Sequence, residues 1–119
     1  MLEGGNMVDI KGTTITITKG DSARIAIKIC NTDGTRYIPS SEDVIRFAMK
    51  KDYNDAEPLL VKTVPVDTML LSIDPEDTKN LKAGPKDGRY KYDIELRKPG
   101  NIVDTFIPRA DFIVLEEVL

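Results

Sequence analysis

From Arg89 to Arg97 the chain alternates apolar and charged residues without a break. A period of two sends successive side chains to opposite sides of a strand. Tyr90, Tyr92, Ile94 and Leu96 therefore share one face, and Arg89, Lys91, Asp93, Glu95 and Arg97 share the other. A strand that is apolar on one side persists only where another layer covers that side, so the chain is held to a layered β structure. The same period recurs nearer the start. Ile15 and Ile17 alternate with Thr14, Thr16 and Thr18, and Ile25, Ile27 and Ile29 alternate with Arg24 and Lys28.

The remaining segments fit this scheme. Val8 and Ile10 occupy even positions while Ile15 and Ile17 occupy odd ones, which places a change of face near Gly12, a residue suited to a bulge or kink. Ser40 to Lys51 satisfies both a strand period (Ile45, Phe47, Met49) and a helical one (Val44, Phe47, Ala48); a helix there would be short and flanked by strands, so a strand is expected. Further strands are read at Ser22 to Cys30, Leu59 to Val64, Met69 to Ile73, Ile102 to Ile107 and Asp111 to Val118, the last two separated by Pro108-Arg109-Ala110. Turns fall at Lys19-Gly20-Asp21, Asn31 to Gly34, Asp87-Gly88 and Lys98 to Asn101. One helix is signalled, over Asp74 to Leu81: Asp74 suits the N-cap, Pro75 the first helical position, Glu76 and Asp77 the first turn, and Gly84-Pro85 the stop. Regularly punctuated short strands describe an all-β antiparallel sandwich or small barrel. The expected core contains Ile25, Ile27, Ile29, Phe47, Met49, Leu71, Ile73, Tyr92, Ile94 and Leu96.

Length and composition bound the domain count and the chemistry. The 119 residues suffice for one domain, taken as residues 7–119, after a polar, Gly-rich leader or expression scar over residues 1–6 that is expected to be disordered. Lys and Arg number 17 against 20 Asp and Glu, a net charge of −3 without charge blocks, which argues against nucleic-acid or membrane-surface partners. No apolar run approaches the roughly 20 residues that cross a bilayer, and no signal peptide opens the chain.

The chain has no His and a single Cys, Cys30, so the commonest general base, the usual metal ligand and any internal disulfide are missing. Ser40 and Ser41 have no histidine to activate them. The acidic cluster Asp74, Glu76 and Asp77 has the spacing of a helix N-terminus and lacks a calcium-loop pattern, and Glu116-Glu117 reads as a solvated strand end. Lys82, Lys86 and Arg89 around Gly84 and Gly88 lack the strand, glycine loop and helix order of a phosphate cradle. Cys30 is expected to be a buried or half-buried inert thiol. Tyr90 and Tyr92 read as core aromatics, with one hydroxyl available to anchor a corner. No catalytic residue, cofactor site or metal site is therefore assigned.

Several of these segments, taken in order, resemble a known family. Lys19-Gly20-Asp21, Asp33-Gly34, Asp43-Val44-Ile45-Arg46-Phe47-Ala48, Gly88 to Leu96 and Val103-Asp104-Thr105-Phe106-Ile107 are similar to the N-terminal domain of phage baseplate upper proteins, over roughly Val8 to Val118. The resemblance implies an immunoglobulin-like antiparallel β-sandwich of about seven to eight strands with one short helix. It also implies a non-enzymatic phage or prophage structural protein, a tail or baseplate component that binds other tail proteins. Such a protein would occupy the host cytoplasm during assembly and then the virion. Family members usually carry a further C-terminal region that engages the receptor-binding protein; this chain closes on its last strand, so an accessory tail component is expected. The alternative is a free-standing immunoglobulin-like module that binds carbohydrate or a cell-surface partner.

Assembly needs a surface, and an open strand edge provides one. Thr13 to Thr18 carries neither Pro nor charge, so Thr14, Thr16 and Thr18 are the candidate assembly edge, open to strand addition by a partner or by a second copy in a homo-oligomer.

Overall fold

The alternating stretch Arg89 to Arg97 lies in the middle of the larger of two principal sheets. The structure, a computed structural model, describes residues 2–3, 8–11, 13–31 and 33–117. In chain order the strands are β1 (Leu2–Glu3), β2 (Val8–Lys11), β3 (Thr14–Thr18), β4 (Ala23–Ile27), β5 (Ile29–Cys30), β6 (Arg36–Tyr37), β7 (Val44–Lys50), β8 (Leu60–Val64), β9 (Leu70–Ile73), β10 (Arg89–Lys98) and β11 (Ile102–Leu115). One helix, α1 (Pro75–Lys79), separates β9 from β10. The fold is all-β apart from this single turn and a half.

Six strands form a sheet in the order β2-β3-β11-β10-β7-β8, three form a second sheet, β1-β4-β9, and β5 and β6 make a two-stranded ribbon. The alternation read from the sequence fixes which side of each strand is covered. All ten expected core residues are buried, and Ile15, Ile17, Ile45, Val64, Tyr90, Phe112 and Val114 join them in one cluster fed by both sheets. Phe47, Tyr92 and Phe112 meet at its centre, with ring centroids 5.2 to 6.3 Å apart.

Several expectations are corrected. The change of face near Gly12 is a chain reversal: Val8–Lys11 and Thr14–Thr18 are separate strands paired antiparallel, with Lys11 opposite Thr14. Gly12 itself lies outside the described residues, as do Met1, residues 4–6 of the expected leader and Val118. Leu2 and Glu3, from the same leader segment, pair with Ile27 and Ala26. The sheet is not wholly antiparallel, because β3 runs parallel to β11 from Ile15–Phe112 to Thr18–Leu115. The two strands expected at the C-terminal end are one, since β11 continues through Pro108 by bulging against β10. Ser22 to Cys30 is broken at Lys28, and its end pairs with Arg36 and Tyr37 in a ribbon that the sequence did not announce. Cys30 is exposed: it alternates with buried Ile29 and so faces away from the core.

Between β9 and β10 the helix starts where the sequence signals place it but ends at Lys79, short of the expected Leu81. Asp74 caps α1, and its backbone N–H donates to Asp77 Oδ2 at 2.7 Å. Lys62 on β8 lies against the same two carboxylates, 2.8 Å from Asp77 Oδ2 and 3.3 Å from Asp74 Oδ2. Their negative charge thus serves the helix terminus and an ion pair. The following loop is tied to β11 through its glycines. Gly84 N–H donates to the Val114 carbonyl at 2.9 Å, Val114 N–H to the Gly88 carbonyl at 2.7 Å, and Gly88 N–H to the Gly84 carbonyl at 2.9 Å. The basic residues there are occupied in part: Arg89 Nε donates to the Pro85 carbonyl at 3.0 Å.

Both tyrosine hydroxyls of β10 reach backbone carbonyls, Tyr92 that of Thr13 and Tyr90 that of Lys82 in the loop before the strand. The Tyr90 hydroxyl donates to the Lys82 carbonyl at 2.9 Å, and burial pushes its phenol above the usual range, so it stays a donor. Tyr90→Phe keeps the ring and deletes this bond; chemical denaturation should show a loss of about 1 kcal/mol. An unchanged midpoint would mean that water replaces the hydroxyl without cost.

Candidate functional site

The edge expected at Thr14, Thr16 and Thr18 is occupied. β3 lies between β2 and β11, so its backbone is paired on both sides, and the three threonines are half-buried. Open flanks lie elsewhere, on the outer strands such as β8 and within β11. β11 pairs with β10 along one flank from Ile102 to Ile113, while β3 covers the opposite flank only at Phe112–Leu115. Among the described residues, no strand pairs with the free flank of Ile102 to Ile107.

Beside this flank the ribbon, the end of β10 and the start of β11 enclose a half-open cleft of about 350 Å³. Ile29, Tyr37 and Leu96 contribute its apolar part, and Asn31, Lys98 and Asp104 its polar part. The ribbon is held by its own turn: Asn31 N–H donates to the Thr35 carbonyl at 2.7 Å, and the Asp33 carboxylate accepts from the Thr35 N–H at 2.9 Å. That places Tyr37 opposite Ile29.

Tyr37 links the cleft to the loop before β7. Lys98 Nζ lies 4.8 Å from its ring centroid, a cation–π distance, and its hydroxyl donates to Asp43 Oδ2 at 2.6 Å. The Ser40 N–H donates to the same oxygen at 3.0 Å, and Asp43 is buried. The Tyr37 hydroxyl first, then the Ser40 N–H and the Lys98 charge, hold the Asp43 carboxyl below the usual carboxylate range. Because the folded state favours the ionised form, this anchor stabilises the fold above the ordinary Asp range, near pH 4, and fades as the pH falls through the lowered folded value. Asp43→Asn should therefore be less stable than the parent at neutral pH, with the gap narrowing as the pH falls below the ordinary Asp range. Urea unfolding of both proteins across that range checks the sign; a constant gap would show that Asp43 does not titrate with folding.

Ile38, after the ribbon, is 71% exposed, and Ile102 and Val103, consecutive on β11, are 53% and 48% exposed. Two neighbouring strand residues that are both exposed show that this part of β11 is covered on neither face.

The other residues singled out from the sequence disperse over the molecule. Asp74 and Asp77 hold Lys62, Glu116 and Glu117 are exposed beyond β11, and Ser40 serves the Asp43 turn. Among the described residues, no group of three or more Asp, Glu or Cys could hold a metal ion, and no helix is long and apolar enough to cross a membrane. Sequence reading missed Tyr37, Asp43 and Lys98. The available signals were the Ser40-x-x-Asp43 spacing of a side-chain-closed turn and the adjacent Ile102-Val103, which breaks the strand alternation. No family model, curated protein or solved structure matches the chain.

Proposed function

We propose that the chain is an immunoglobulin-like β-sandwich that works by binding other proteins, as a structural component of a phage tail or baseplate. The sandwich reading is supported by the strand order: β4 beside β9 in one sheet, β3-β11-β10-β7-β8 in the other, and a short helix leading into β10. The Tyr90 hydroxyl bonded to a carbonyl upstream resembles the tyrosine corner of such domains. The tail reading comes from the resemblance of the turn and strand segments to baseplate upper proteins.

One observation carries the binding role. The free flank of Ile102 to Ile107 runs beside the cleft, and its first two residues, Ile102 and Val103, are exposed. Unpaired backbone next to apolar side chains suits an extended segment of a partner, which would add a strand and place one side chain in the cleft. This reading transfers the assembly role from Thr14, Thr16 and Thr18 to β11.

The experiment is fractionation of particles from a host that expresses the tagged chain. The chain should co-sediment with tails, and Val103→Glu with Ile102→Glu should release it while leaving its melting temperature close to the parent value. Recovery only in the soluble fraction, together with retention on a polysaccharide column, would replace this function with the carbohydrate-binding alternative.

A further inference from the structure

The charged face of the six-stranded sheet contains a second concavity, far from the ribbon in sequence and built around a defect in β11. Three residue steps along β10, from Tyr92 to Glu95, match five along β11, from Ala110 to Thr105. The extra residues leave Pro108 and Arg109 together opposite Asp93. Arg109 has φ 49°, in the left-handed region that a Cβ-bearing residue avoids. Bulges re-aim side chains, and strain of this kind persists only where the surrounding structure imposes it.

The side chain so aimed is informative. The Arg109 guanidinium lies over the Tyr53 ring, 5.2 Å from its centroid, and Lys91 Nζ lies 5.9 Å from the same centroid. Arg109 is exposed and has no ion-pair partner among the described residues. With Lys50 and Asp93 these groups line a cavity of about 230 Å³. Lys50 donates to the Asp55 carbonyl at 2.8 Å, which fixes its charge beside the loop that carries Tyr53. Lys91 is paired with Asp111. Lys91 is thus taken up by Asp111 and Lys50 acts on Asp93, which leaves the Arg109 guanidinium as the cation of the cavity without a carboxylate partner among the described residues.

We propose that this cavity, formed by Arg109, Tyr53, Lys50 and Lys91 around the β11 bulge, is a docking pocket for a single carboxylate side chain, Asp or Glu, of a protein partner. That single cation fits a monoanion, and a guanidinium supported on an aromatic ring presents the fork that pairs with a planar carboxylate. Asp93 within the same cavity works against a dianionic phosphate. The small volume admits one side chain and not a folded ligand. The proposal rests on the reading that the chain acts through protein contacts, and it adds where and with what chemistry.

Arg109 also makes the test clean, because glycine adopts its backbone conformation without strain. Isotope-labelled full-length protein is titrated by NMR with the capped peptide acetyl-Gly-Glu-Gly-amide, with its Gln counterpart and with inorganic phosphate. The Glu peptide should shift the Arg109, Tyr53 and Lys50 resonances saturably, in the millimolar range expected for one contact. The Gln peptide and phosphate should bind at least tenfold more weakly. Arg109→Gly should lower the affinity for the Glu peptide at least tenfold while its melting temperature stays level or rises; Arg109→Asn, which also tolerates the left-handed region, repeats the comparison if the glycine variant folds poorly. Lys86→Ala, on the exposed turn before β10, should leave binding unchanged.

Equal response to the Glu and Gln peptides, phosphate binding as tight as the Glu peptide, or full binding by both Arg109 variants would overturn the pocket. A chain that co-sediments with tails yet ignores the Glu peptide overturns this inference alone. One that binds the Glu peptide but never joins a particle overturns the tail reading and leaves the pocket standing.

Discussion

Gly88→Ala is expected to be the most damaging single substitution of a small residue in this protein. A Cβ at position 88 would stand 2.1 Å from the Val114 carbonyl oxygen and 2.6 Å from that of Gly84. Both are backbone atoms already engaged in hydrogen bonds, the Val114 carbonyl with the Gly84 N–H and the Gly84 carbonyl with the Gly88 N–H, so neither can swing aside as a side-chain tip would. Relief requires the loop and β11 to separate, which breaks the Gly84 to Val114 and Val114 to Gly88 bonds together. A loss of about 3 kcal/mol or more is expected, at the upper end of overpacking effects. Gly34→Ala is the control: φ is +90° there, but nothing lies within 4 Å of the added carbon, so the loss should stay near 1 kcal/mol. Thermal or urea unfolding of the two variants measures the difference. Equal losses would show that only the turn conformation matters and that the approach to β11 is loose.

Phe47→Ala should produce a loss of similar size by the opposite route, a void. Phe47 is fully buried and touches both other rings at the core centre, Tyr92 at 5.2 Å and Phe112 at 6.0 Å between centroids. Truncation removes the transfer free energy of the ring and leaves a cavity that two rigid aromatics cannot collapse to fill, a cost of about 3–5 kcal/mol. Against a total stability of about 5–15 kcal/mol, that is a large fraction, and the melting temperature should fall by about 10 °C or more. The remaining Tyr92 reports on the site as well. Burial holds its phenol far above the usual range and its hydroxyl donates to the Thr13 carbonyl, so a cavity that admits water should bring its titration back towards the ordinary value. A loss below about 1 kcal/mol would mean that the three rings do not share one core.

Local order was legible because it is written in neighbouring residues. Alternation placed Tyr90, Tyr92, Ile94 and Leu96 on the covered side of β10, and the ten core residues named from it are all buried. Asp74, Pro75 and Asp77 announced the helix because capping is satisfied within one turn, although α1 ends at Lys79 and not at Leu81. The hairpin at Lys98 to Asn101 was equally visible, since it needs only Pro, Gly and Asn in adjacent positions.

What the sequence by itself determined was therefore the period of each segment, which side of it is apolar and where the chain turns. Which strand lies beside which was decided by the tertiary structure alone. Thr13 to Thr18 has the composition of an open edge, yet β2 and β11 cover both of its sides, while the outer flank of β8 and the first half of β11 have no strand partner among the described residues. Nothing local distinguishes these cases, because a backbone amide is the same donor in every strand and its partner can lie at the far end of the chain. Thr16, for example, pairs with Ile113. The candidate cleft and the Arg109 pocket share that origin. Tyr37 meets Lys98, and Tyr53 meets Arg109, only after the strands and loops that carry them have been brought together. Side-chain period is a property of one strand, whereas register, bulge and edge are properties of a pair, and the pairing is chosen by closing the whole core at once.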